Sequence, residues 1–275
     1  MKKSKALLLG AGILSASFLM VACSSTQSNA SDKTYSYVFA SNPDTLDYIT
    51  STRGSTSSIT TNLIDGLLEN DKYGNLVPSM AESWTVSKDG LTYTYKIRQG
   101  VKWYTSEGEE YAEVTAHDFV TGLKYAADKK AENLYLVQDS IKGLADYVEG
   151  QSSDFETVGI KEVDDYTLQY TLNKPESYWN SKTTGGILSP VNEAFLKSKG
   201  DEFGSVTPSS ILSNGPYLFK SFTSKSLIEF EKNPNYWDKE NVHVDAVKLS
   251  FYDGQDQGKL ADQFSQGALT TARLF

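Results

Sequence analysis

The sequence predicts an α+β fold whose strands pair mainly as antiparallel hairpins. Three observations predict it. Apolar and aromatic residues alternate with polar ones at Tyr35/Tyr37/Phe39, Tyr93/Tyr95/Ile97 and Leu168/Tyr170/Leu172, a period of two that suits half-buried strands. The last two runs each follow a short turn signal, Lys88-Asp89-Gly90 and Asp164-Asp165, with another strand-like run just before it. One well-marked helical stretch, Phe119 to Ala127, lies between these hairpins, so the strands do not alternate with helices as βαβ units require.

Taken in order, Thr34 to Ala40 reads as a strand with Tyr35, Tyr37 and Phe39 on one face. Ser41-Asn42-Pro43-Asp44 stops it, because proline and aspartate favour turns. Ile59, Leu63, Ile64, Leu67 and Leu68 recur at helical spacing and predict a helix from Ser57 to Glu69. Trp84-Thr85-Val86 and Leu91 to Arg98 form the first hairpin. Glu107, Glu109, Glu110 and Glu113, interrupted by Gly108, read as a solvated loop. Thr115-Ala116-His117-Asp118 reads as a capping box with Thr115 at the N-cap, followed by an apolar face of Phe119, Val120, Leu123, Ala126 and Ala127. A second hairpin spans Thr157 to Leu172, and further strands are expected at Leu227 to Glu231 and Val244 to Tyr252. The chain carries no internal repeat.

Composition narrows the function. The 275 residues suffice for one or two domains with a real core. Thirty-five acidic against 26 basic residues leave a net charge of −9, which excludes a non-specific nucleic-acid binder, since that needs a basic footprint. A 12% aromatic content is too high for a disordered chain. One cysteine excludes a disulfide framework, and two histidines, His117 and His243, leave little for a histidine-rich metal site. There is no Gly-rich phosphate loop, no GxGxxG, no HExxH and no GxSxG. His117 sits just inside a helix start and reads as a half-exposed helix residue; His243 has no carboxylate–hydroxyl partner near it in sequence. The residues therefore favour a binding protein over an enzyme, with no cofactor and no metal. Tyr135 and Tyr178-Trp179 fall outside the strand alternation and are candidates to face a ligand.

The amino terminus is a separate matter. Lys2, Lys3 and Lys5 precede sixteen uncharged residues, Ala6 to Val21, too few for a comfortable membrane span but suited to a signal-peptide core. Leu19-Met20-Val21-Ala22-Cys23 resembles the lipobox of bacterial lipoproteins, with Met20 where leucine is usual. That resemblance implies cleavage after residue 22, a thioether-linked diacylglycerol on Cys23 and a membrane anchor. Residues 23–33 are small and polar, a flexible tether.

Within the body, Val114-Thr115-Ala116-His117-Asp118-Phe119-Val120 resembles the VTAxDF signature of oligopeptide- and dipeptide-binding proteins of ABC importers. Asn62-Leu63-Ile64-Asp65-Gly66-Leu67, Leu76-Val77-Pro78-Ser79-Met80-Ala81-Glu82-Ser83-Trp84, and Asp89 to Arg98 followed by Gly100-Val101-Lys102-Trp103 are similar to further segments of that family. So are Asn214-Gly215-Pro216-Tyr217 and Asn233-Pro234-Asn235-Tyr236-Trp237. The set runs in order over residues 34–252, and with the lipobox it is most similar to oligopeptide-binding lipoproteins of Gram-positive bacteria, of the streptococcal Ami/Ali type. Tyr104 to Glu113 departs from the family as a loop insertion.

The resemblance implies a periplasmic-binding-protein-like type II fold of the peptide-binding cluster. Residues 34–58 and 191–275 would belong to the first lobe and 59–190 to an accessory domain, with the second lobe missing. It implies a lipid-anchored monomer on the outer face of a Gram-positive cell membrane, with oligopeptides and ABC permease subunits as partners. Ser41, Asn42, Pro43 and Asp44 match the ligand-proximal segment after the family's first strand, and Tyr135 is a further expected contact. The groups that pair with a peptide's amino terminus would lie in the absent lobe. A chain with one wall of a cleft is expected to bind peptide weakly and to expose an apolar face. Three other readings stay open: a receptor of the same superfamily for a metal, haem or sugar, an extracellular hydrolase, and a truncated half-receptor serving as a surface adhesin or decoy.

Overall fold

Strand β1 (Thr34–Phe39) forms where its alternation predicts. The computed structural model that shows it describes residues 33–272; Cys23 and the expected signal peptide and tether, up to residue 32, lie outside the described residues. After β1 the chain loops through residues 40–53 into a short helix, α1 (Gly54–Thr60). This helix ends well before Glu69, the end expected from its spacing. The Leu63 carbonyl, which a continuing helix would bond to the Leu67 amide, instead accepts from the Gly215 N–H (2.8 Å) and the Ser213 hydroxyl (2.8 Å). The Asp65 N–H donates to Asn214 Oδ1 (2.9 Å). Backbone groups satisfied by a distant loop leave nothing for helix propagation. Leu63, Ile64, Leu67 and Leu68 are still buried, so the apolar spacing was real while the backbone between those residues is extended.

Leu68 opens β2 (Leu68–Asn70), which pairs with β3 (Leu76–Pro78). The expected hairpin follows as β4 (Ala81–Val86) and β5 (Thr92–Ile97), with Tyr93, Tyr95 and Ile97 buried. The acidic run differs from its reading as a loop. Its second half is β7 (Glu110–Glu113), paired with β6 (Lys102–Tyr104). Lys102 reaches both Glu110 (3.2 Å) and Glu113 (3.3 Å), and the Tyr166 hydroxyl donates to Glu113 (2.6 Å). Two of the carboxylates thus sit opposite a cation across a strand pair, which four residues of sequence cannot reveal.

Helix α2 (Ala116–Asp128) starts at Thr115 with the expected capping box, the Asp118 carboxylate accepting the Thr115 amide (2.8 Å). Asp118 also accepts from Trp103 Nε1 (3.2 Å), tying the cap to the core. Short helix α3 (Leu144–Val148) leads to the second hairpin, β8 (Ile160–Asp164) and β9 (Thr167–Thr171). Helices α4 (Trp179–Lys182) and α5 (Glu193–Lys199) precede β10 (Tyr217–Thr223), β11 (Leu227–Lys232), β12 (Ala246–Phe251) and α6 (Gln257–Ser265).

Besides the β2–β3 and β6–β7 pairs, the described strands form two four-stranded sheets. One runs β1-β12-β11-β10, with β1 parallel to β12 in the register Thr34–Ala246 to Phe39–Phe251. The other runs β4-β5-β9-β8 and is antiparallel throughout. The first sheet joins the beginning of the described chain to its end, and the second is built from its middle. One hydrophobic core, with Trp103, Phe119, Trp179, Phe219 and Phe230 fully buried, serves both.

His117 links three elements at the surface. Its Nδ1 lies 2.7 Å from Glu162 on β8 and its Nε2 3.6 Å from Glu193 on α5. Partial burial disfavours the imidazolium, but the bond to Glu162 and the charges of Glu162 and Glu193 outweigh it, so the pKa is raised. Such a group stabilises the fold fully below its unfolded pKa near 6.5 and loses that effect as pH rises through the folded value. His117→Ala is therefore expected to lower the urea midpoint at pH 5.5 more than at pH 8.5. Equal losses at both pH values would show that the imidazolium contributes nothing.

Candidate functional site

A cavity of about 380 Å³ opens where the loop after β1, helix α1, the extended Ile64–Gly66 passage and two later loops converge. Its walls follow from local sequence. The segment before α1 is folded on itself by Asp47, whose carboxylate accepts from the amides of Ile49 and Thr50 (both 3.1 Å), the Thr50 hydroxyl (2.6 Å) and the Tyr125 hydroxyl (2.9 Å). Gly204 packs so close to Asp47 that a Cβ there would fall 2.5 Å from its backbone nitrogen, and its φ of +71° adds to the need for glycine. The Ser51 hydroxyl donates to Thr56 (2.9 Å) and the Thr52 hydroxyl to Glu132 (3.2 Å). The latter contact joins the first wall to a 3-10 turn, residues 132–136.

That turn carries Asn133, Tyr135 and Leu136 to the cavity. Asn133 is buried, whereas Tyr135 is 74% exposed, an aromatic ring held at the rim with most of its surface in water. Exposing a ring costs hydrophobic free energy, so the position is one where a partner's apolar surface gains by covering it. The opposite wall is the 184–189 loop, in which Gly185 and Gly186 both have positive φ. Gly66 touches that wall.

The floor holds Asp65. It is 8% exposed and accepts from the Tyr236 hydroxyl (2.8 Å) and Trp237 Nε1 (3.2 Å). Burial pushes its pKa up to about 7, against the pull of those two donors and with the help of the negative Glu69 and Asp238. Glu69, also on the lining, is pushed up first by partial burial and then by Asp238. Ser79 and Asn133 complete the polar set. Ser79 Oγ and Asn133 Oδ1 are buried without a hydrogen-bond partner among the described residues. Each such atom typically costs about 1–3 kcal/mol.

The sequence-derived residues divide. Tyr135 lies on this cavity. Ser41 and Pro43 line a second one of about 210 Å³ between β1, α1 and the β11–β12 face. Asn42 is held by the β10–β11 turn, donating to Ser224 Oγ (2.7 Å) and accepting from the Lys225 amide (2.9 Å). Asp44 pairs with Arg53 at the surface (3.1 Å). Tyr178 is exposed and Trp179 fully buried, so only the first of that pair could meet a ligand. His243 is exposed and Glu107 to Glu113 lie away from the cavity lining. Reasoning from residue types missed Thr52, Asp65, Ser79 and Asn133. The clue available was the density of hydroxyls from Thr50 to Thr61, more than a short surface helix needs.

Residues 75–274 match the family model of bacterial extracellular solute-binding proteins, family 5. The chain belongs to that family. Its full length is 64% identical to oligopeptide-binding protein SarA of Streptococcus gordonii and to AliA of Streptococcus pneumoniae, and 58% identical to AmiA of the latter species. The chain spans 42% of the length of these relatives. Among solved structures, OppA of Listeria monocytogenes bound to peptide superposes with a TM-score of 0.79 at 29% identity, covering 87% of this chain and 46% of that one. The substrate-binding domain of an oligopeptide ABC transporter from Bacillus anthracis gives the same score and identity. The α+β fold is thus that of the type II peptide-binding cluster, matched over part of its length. The relatives SarA and AliA are oligopeptide-binding proteins by name.

Proposed function

We propose that this chain forms one wall of an extracytoplasmic oligopeptide receptor that serves an ABC permease, with the cavity beneath Tyr135 as its ligand face. The observation that carries the reading is an exposed aromatic at the mouth of a hydroxyl-rich cavity, in a chain close in sequence to oligopeptide-binding proteins. Stacking on Tyr135 and hydrogen bonds to hydroxyls hold a peptide without reading its sequence closely. Closure of a second lobe over that wall is the step a permease would recognise. In the same reading, Cys23 carries diacylglycerol and tethers the body to the outer face of the cell membrane. Residues 34–58 and 191–275 make the first lobe and 59–190 the accessory domain.

Titration of an alanine-rich hexapeptide into the ¹⁵N-labelled chain tests the ligand face at any affinity. Saturable shifts of the Thr52, Tyr135 and Gly186 amides are expected, and Tyr135→Ala is expected to weaken binding about threefold to tenfold, the size of one aromatic contact. Shifts absent from these amides, or centred on another surface, would reject the assignment.

A further inference from the structure

The cavity's charge is one-sided. Asp65 and Glu69 line it, and among the described residues no lysine, arginine or histidine does. A third carboxylate, Glu132, accepts the hydroxyl of the lining residue Thr52, and Asp238 adds its charge to both Asp65 and Glu69. The nearby cations are committed elsewhere. Arg53 pairs with Asp44, and Arg98 stacks on the Trp237 ring (3.8 Å) and donates to the Ser79 carbonyl (3.3 Å). The unused polar atoms agree with the charge. Ser79 Oγ and Asn133 Oδ1, on residues 1% and 9% exposed, are oxygens able to accept and have no partner among the described residues. A cavity of about 380 Å³ has room for a lysine or arginine side chain but not for a folded peptide.

We infer that this cavity is a specificity pocket for a cationic side chain, taking the lysine or arginine of a bound peptide between Asp65 and Glu69 while Tyr135 covers its aliphatic stem. The inference rests on the peptide-receptor reading and goes beyond it by assigning a side-chain preference. An ammonium carries three donors and no acceptor, which matches a lining rich in acceptors. The long methylene stem packs against Tyr135 and Leu136 at the rim, as lysine stems do on aromatic surfaces. A neutral apolar side chain of the same length keeps the stem contact and loses the charged one. The pocket therefore separates lysine from norleucine by electrostatics alone, and salt weakens the distinction.

The test uses the full chain and two hexapeptides identical except for one central lysine or norleucine, titrated at pH 8 in low salt with the Tyr135 and Gly186 amides followed. The lysine peptide is expected to bind at least fivefold tighter. Glu69→Gln, at an exposed position, and the near-isosteric Asp65→Asn are each expected to reduce that ratio toward one. Raising the salt is expected to shrink the ratio in the unmodified chain. Equal affinities for the two peptides would overturn the pocket and leave the receptor reading standing. A lysine preference unchanged in both variants would also overturn it, by placing the cation elsewhere. Absence of saturable shifts at the cavity with either peptide would overturn both readings together.

Discussion

Gly66→Ala is expected to destabilise the protein by about 3 kcal/mol, the upper range for overpacking a rigid site. A Cβ at Gly66 would lie 2.8 Å from the Gly185 nitrogen, 2.9 Å from the Thr183 carbonyl oxygen and 2.9 Å from the Thr184 carbonyl carbon. All three are backbone atoms, so no side chain can rotate out of the way. Either the Ile64–Gly66 passage or the 184–189 loop must shift, and both are walls of the cavity. For a body of this size the loss corresponds to a fall in Tm of roughly 6–12 °C. Gly54→Ala supplies the control. It begins α1, has nothing within 4 Å of the added methyl, and is expected to be neutral or slightly stabilising. A Gly66→Ala melting point within 2 °C of the parent would mean that the loop yields freely and the cavity wall is soft.

The second large effect is a pH dependence with an unusual sign. The Asp65 carboxyl has a folded pKa near 7 against an ordinary 3.8. Between those values the folded chain holds a proton that the unfolded chain has released. Stability from this group therefore falls as pH rises from about 4 to about 7 and is flat above, opposite to the usual ion-paired aspartate. The span is on the order of a few kcal/mol. Asp65→Asn keeps an oxygen to accept from Tyr236 and Trp237 and removes the titration. The variant is expected to match the parent at pH 4 and exceed it at pH 8. Asp118, buried and raised to about 6, imposes a similar trend in both proteins, so the difference between their urea midpoints isolates Asp65. Parallel profiles from pH 4 to 8 would show that Asp65 is solvated well enough to ionise normally.

Local physics was legible in the chain. The hairpin at Lys88-Asp89-Gly90 forms because glycine takes the left-handed turn (φ +72°) and the flanking residues alternate, both properties of adjacent residues. The capping box at Thr115 and Asp118 and the apolar face of α2 are equally short-ranged. Tyr135 stood out as an aromatic off the strand period, and the structure places it on the cavity lining.

What the sequence by itself determined was therefore the class of the fold, the place of most strands and the main helix, and membership of a peptide-binding family. Only the tertiary structure decided where α1 stops, because the donors that capture the Leu63 carbonyl come from residues 213 and 215. It alone turned the acidic run into a strand, through Lys102 across the pair. It alone assembled the cavity, whose carboxylates, hydroxyls, amide and aromatic rings come from positions 48 to 189. The physical reason is the same in each case. Turns, caps and periodicity depend on neighbours a few residues away, whereas a buried charge, an extended passage and a pocket depend on partners that only the folded chain brings together.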